Sequence, residues 1–124
     1  MITHNQIKLI KSLALKKNRV KHQLFIVEGK KNVAELINSD YEIDSLFATN
    51  NWINKNSNIS AIKVNRSELE RISSQKNPDS VLAIVKIKDS PISSDSGIIL
   101  VLDNVNDPGN MGTIIRMCDW FGVS

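Results

Sequence analysis

The residues of this sequence that could do chemistry lie between 100 and 123, in LVLDNVNDPGNMGTIIRMCDWFGV. An apolar run ends in a Gly-containing turn, NDPGN, and the turn leads into a stretch with helical spacing. A buried parallel strand followed by such a turn and helix places backbone N–H groups at the carboxyl edge of a sheet, where open α/β folds bind ligands. Pro108 stiffens the turn, and Gly109 and Gly112 permit unusual φ or close backbone approach. Neither a G-x-G-x-x-G nor a G-x-x-x-x-G-K-[ST] run is present, so these routes to a dinucleotide or a nucleoside triphosphate are unsupported. At 100° per residue Met111, Ile114, Ile115, Cys118 and Phe121 share one helix face. Arg116 lies opposite, three residues after Thr113 and four before Trp120. A tryptophan beside an arginine on the outer face suggests a cover: a second subunit, a further domain or a nucleic acid. The plainer reading is a tryptophan at a domain edge and a surface charge.

The elements that would position these residues follow from periodicity. Thr3 and Gln6 form a capping box, and Ile7, Ile10 and Leu13 recur at helical spacing behind it. KKNRVKHQ (16–23) holds four positive charges and almost nothing apolar, and reads as an exposed loop or short turn. Strands are predicted at 24–29, 43–50, 61–65 and 81–87, and helices at 31–37 and after a second capping box at Ser67 and Glu70. VLAIVKI (81–87) is apolar enough for burial on both faces. This alternation predicts an α/β domain over 1–88, a three-layer α/β/α arrangement on a four-stranded sheet. KDSPISSDSG breaks the pattern and reads as a linker, placed at 89–96. Residues 97–124 then read as one buried strand, a turn and a helix, the beginning of a second α/β domain, because such a set cannot bury its own apolar surface.

The chain has 124 residues with 41% hydrophobic and 23% charged side chains, a globular balance. No apolar run approaches the roughly 20 residues of a membrane span, and the N-terminus carries no apolar signal region. One cysteine, Cys118, excludes a disulfide framework and fits a reducing cytoplasm; with only His4 and His22 beside it, no metal site is expected. The net charge of +3 is unevenly spread. Residues 1–31 hold eight lysines and arginines against Glu28 alone, a net +7, and the remaining 93 residues carry a net −4. Such an end is the footprint of a polyanion partner, or else a solvated lysine-rich face.

The 103–122 segment closely resembles motif 1 of the SpoU (TrmH-type) RNA 2′-O-ribose methyltransferases of the SPOUT superfamily. That motif reads approximately D-N-x-x-D-P-x-N-x-G-x-x-x-R and then F-G. Asp103, Asn104, Asp107, Pro108, Asn110, Gly112, Arg116, Phe121 and Gly122 match it in register. The region before it is similar to the substrate-binding domain of many members, through Lys17 and Arg19, then Phe25, Glu28 and Gly29, then Val33 and Glu35. The resemblance implies a ribosomal-protein-like RNA-binding domain followed by the first strand and helix of a truncated, knotted, dimeric domain that binds S-adenosylmethionine. It implies that Arg116 handles the ribose 2′-OH and that Asn110 shapes the catalytic centre. Lys16, Lys17, Arg19, Lys21 and Lys31 would contact rRNA or tRNA. The family often has Arg where this chain has Lys31. Its later glycine-rich motifs, which hold the methyl donor, are absent from these 124 residues, so no cofactor-binding residue is assigned and the chain itself is expected to be inactive.

Other candidates have plainer readings. Glu28 could contact RNA, brace Arg19, or serve as a salt bridge or helix cap. His22 could touch phosphate or sit solvated in a loop. Cys118 reads as core. Trp52 reads as packing, although a loop aromatic could stack a base. Asp107 could be a base, but an Asp before Pro more naturally caps a turn. Three functions stay open: a methyltransferase fragment that binds RNA, a stand-alone non-catalytic RNA-binding module, and a small-ligand α/β protein.

Overall fold

In the computed structural model, which describes residues 1–91 and 97–123, Thr3 opens the first helix, α1 (His4–Ser12). Its hydroxyl accepts from the Gln6 N–H at 3.2 Å, and the Gln6 side chain accepts from the Thr3 N–H at 2.8 Å, the expected capping box. A second helix follows, α2 (Lys16–His22), where a loop was expected. Lysine and arginine are good helix formers, and Arg19, Lys21 and His22 in its last turn complement the helix dipole. Gln23 ends it in the left-handed region at φ 55°.

Then come β1 (Leu24–Glu28), α3 (Lys30–Ile37), β2 (Ile43–Ala48), α4 (Asn50–Lys55), β3 (Ile62–Lys63), α5 (Arg66–Ile72) and β4 (Val81–Lys86). The sheet order is β1-β4-β2-β3. β4 runs antiparallel to both its neighbours, and β3 lies parallel to β2. All of Val81 to Val85 is buried, as a continuous apolar run at the sheet centre requires. Alternation sorts its side chains. Leu82 and Ile84 join Phe47 of β2 under α1 and α5. Val81, Ala83 and Val85 join Val33 and Leu36 of α3 and Trp52 of α4 on the other face. The result is the expected three-layer domain. Phe47, wholly buried, contributes on the order of 3 kcal/mol.

Two details differ from the sequence reading. The second capping box sits at Asn65 and Glu68, not Ser67 and Glu70. Asparagine has the extended backbone and side-chain acceptor of a good N-cap, so the helix starts two residues earlier, and Glu70 pairs instead with Arg66 at 3.1 Å. Trp52 packs as expected, but from a six-residue helix too short to register as a period.

Gly29 joins β1 to α3 at φ 97°, with its N–H donating to the Val81 carbonyl at 3.0 Å. No atom would meet an added Cβ there, so the demand is on the backbone alone. Gly29→Ala should therefore cost about 1–2 kcal/mol, read as a lower urea midpoint with an unchanged slope. Lys86 pairs with Glu42 at 2.8 Å and Lys88 with Asp40, tying the end of β4 to the α3–β2 loop. The Lys88 hydrogen bond, and then its charge, hold the Asp40 carboxyl below the ordinary carboxylate range. That contribution is present at neutral pH and is lost as pH falls through the lowered value.

The chain divides into two units, residues 1–89 and 90–124. The linker read over 89–96 lies mostly outside the described residues, since 92–96 are not among them. In the second unit, α6 (Pro108–Phe121) forms where a helix was expected. The strand read over 97–104 does not form, and Ile98, Leu100 and Val101 are exposed rather than buried. A strand exists only through a ladder partner. The apolar pattern is there, and among the described residues no neighbouring strand pairs with it.

Candidate functional site

In the first unit the basic residues ride on α2, a helix with no buried residue. It is held by polar bonds to the end of α1. Asn18 donates from Nδ2 to the Ser12 carbonyl at 2.8 Å. Arg19 donates from Nη1 to the carbonyls of Leu13 and Ala14, both at 2.9 Å. The Ser12 carbonyl also accepts from the Leu15 N–H at 3.2 Å, and the Leu13 and Ala14 carbonyls lie just past the C-terminal end of α1, where helix geometry supplies no further donors. Arg19 is thus half-buried and committed to joining two helices, whereas Lys16, Lys17 and Lys21 are exposed. Lys31 is exposed on α3, which packs on the other face of the sheet from α1 and α5. Lys30, beside it, pairs with Asp79 at 3.4 Å.

Glu28, the lone carboxylate of the basic segment, makes no salt bridge among the described residues. The Ser73 hydroxyl donates to its Oε1, and the Ser74 N–H and hydroxyl donate to its Oε2 at 3.1 and 2.7 Å. This clamp fixes the loop after α5 to the end of β1. The two serines gave no signal in the sequence; the single carboxylate in a cationic stretch was the only hint.

In the second unit Asp107 caps α6, its Oδ1 accepting from the Gly109 N–H at 3.2 Å, with Pro108 at the first helical position. Gly122 closes the helix at φ 66°. Of the two uses read for Gly109 and Gly112, an unusual φ is not taken up: both sit in helical backbone with no positive φ. Met111, Ile114 and Cys118 form a half-buried face, but Ile115 and Phe121, expected to share it, are exposed. Asn110 lies in a shallow niche of mixed character with Asn104, Val105, Asn106, Asp107, Thr113 and Ile114. Arg116 lines a separate, nearly apolar groove with Thr113, Met117, Trp120 and Phe121. The two are six residues apart, about 120° around the helix, so α6 alone does not converge them. Trp120 is 84% exposed beside Arg116, as the spacing indicated.

Residues 4–83 match the family model of the MRM3-like substrate-binding domain. The chain is 24% identical over 123 residues to the 23S rRNA (guanosine(2553)-2′-O)-methyltransferase RlmP of Bacillus subtilis, covering 97% of this chain and 49% of that protein. Among solved structures it is similar to one of the TrmH family from Porphyromonas gingivalis, at 36% identity and a TM-score of 0.81, over 99% of this chain and 51% of that one. It is also similar to an AdoMet-bound rRNA methyltransferase from Sinorhizobium meliloti, at 32% identity and a TM-score of 0.73, over 100% of this chain and 51% of that one. The chain spans about half the length of the relatives it matches.

Proposed function

Because this chain belongs to the SpoU (TrmH-type) family of RNA methyltransferases and carries the MRM3-like substrate-binding domain, we propose that it is part of an RNA 2′-O-ribose methyltransferase acting on rRNA or tRNA. The observation that carries the reading is the order of parts: a substrate-binding domain, then nine motif positions in register from the loop before α6 to its C-cap. In this reading 1–88 is the RNA substrate-binding domain, 89–96 a linker, and 97–124 the beginning of a methyltransferase domain. The complete enzyme works in the cytoplasm as a homodimer through that domain.

S-adenosylmethionine supplies the methyl group when bound. The described residues do not fit it by themselves. The niche around Asn110 is an open surface between the 104–107 loop and the first two turns of α6, and 98–102 stand exposed rather than forming a wall. We therefore assign the donor pocket to a complete domain. What this chain contributes is on the acceptor side. Lys16, Lys17, Lys21 and Lys31 draw the RNA backbone in by charge. Arg116 orients the ribose 2′-OH and offsets charge developing on its oxygen, a role that suits a planar, always-charged guanidinium. Asn110 shapes the same centre once further elements bring the two together.

The alternative, a non-catalytic RNA-binding module, is favoured for the 124 residues alone by the open niche. Calorimetry separates the readings. The 124-residue chain should bind structured RNA and give no heat with S-adenosylmethionine, whereas a chain of the relatives' length should bind the donor and transfer a tritiated methyl group to RNA. Donor binding by the short chain would sink the assignment of the pocket. Absence of transfer by the long one would leave the module.

A further inference from the structure

The first unit contains a cleft of about 620 Å³ between the end of α1, the side of β1 and the end of α5. Ile10, Leu13 and Ile72 give it an aliphatic floor, and Lys11, Arg19 and Arg71 bring three cations to it. Lys11 and Arg71 are exposed. Arg19 is held through Nη1 by the Leu13 and Ala14 carbonyls, which leaves its other guanidinium nitrogens unengaged among the described residues. The one carboxylate in the lining, Glu28, has both oxygens occupied by Ser73 and Ser74. The cleft is therefore positive at its rim, apolar at its base, and carries a pre-oriented arginine.

We infer that this cleft receives one unpaired nucleotide of the RNA, its base on the aliphatic floor and its flanking phosphates on Lys11, Arg19 and Arg71. The inference rests on the RNA-binding reading above and adds the state of the RNA that is read. A volume of this size lies in the range of sites that enclose a small ligand. Paired bases are stacked inside a duplex and cannot enter a concave site, whereas unpaired ones can be splayed out and laid on an apolar surface. The lysines of α2 suit any phosphate backbone; the cleft suits only a strand whose bases are free.

The test uses the 15N-labelled chain with two probes, a mixed-sequence hexaribonucleotide without secondary structure and a blunt RNA duplex. The hexamer should shift the amides of Leu13, Ala14, Ser73 and Ser74, and the duplex should leave them in place. In Lys11→Gln/Arg71→Gln, both surface changes, the ratio of hexamer to duplex affinity should fall by about tenfold. Hexamer shifts confined to α2 or α3, or an unchanged ratio, would overturn the inference while leaving RNA binding intact. No binding of either probe would overturn it together with the reading it rests on. The shift map on the unaltered chain decides the matter even where the double variant is unstable.

Discussion

Arg116→Ala, placed in a chain that carries the whole methyltransferase domain, should reduce ribose methylation by about 10²–10³-fold and leave donor affinity nearly unchanged. The size is that of removing one pre-oriented donor from a developing oxyanion. Arg116 is exposed and makes no hydrogen bond or ion pair among the described residues; an unchanged melting temperature of the variant separates a lost reaction from lost folding. Arg116→Lys should recover little, because a point charge on a flexible stem lacks the guanidinium's fixed fork of donors. Asn110→Ala should be impaired to a smaller degree. A tritiated-methyl assay, run beside donor calorimetry, reads both quantities. A fully active Arg116→Ala enzyme would remove this arginine from the reaction.

Lys16→Ala/Lys17→Ala/Lys21→Ala should weaken binding to structured RNA by roughly 10–100-fold at low salt. The logarithm of affinity should also depend less steeply on salt, by roughly one unit of slope for each phosphate that the variant no longer neutralises. Arg19 is left out deliberately. Its bonds to Leu13 and Ala14 mean that Arg19→Ala would loosen α2 from α1, and its effect on RNA could not be told from an effect on structure. Filter binding across a salt series checks the prediction. Unchanged affinity and slope in the triple variant would make the basic end a solubilising face.

Where the sequence was legible, a local rule coincided with the global fold. Thr3 and Gln6 and the unbroken apolar run of β4 each satisfy one requirement that the packed domain also imposes. α2 was not legible, because helix prediction leans on an apolar face and α2 has none; it is held by two side chains reaching back to α1. The 97–104 run shows the converse. Its composition is that of a buried strand, yet strand identity belongs to the pair and not to the segment. At the site, motif 1 could be read residue by residue. The separate grooves of Asn110 and Arg116 could not, since spacing alone does not say what else converges on a helix.

The strand at the middle of the sheet is the last to be made. β1 and β2 have no ladder with each other, and β1 meets the sheet only through β4, which follows much later in the chain. At a synthesis rate of about 5–20 residues per second, the first strand waits on the order of several seconds for its partner. During that interval Leu24–Glu28 is an unpaired edge, and helices must form without the surface they will cover. Folding dominated by such distant pairings is intrinsically slow. A nascent chain arrested before Val81 would retain only the short pairing of β2 with β3, and its exposed strands would be the segments a chaperone meets first.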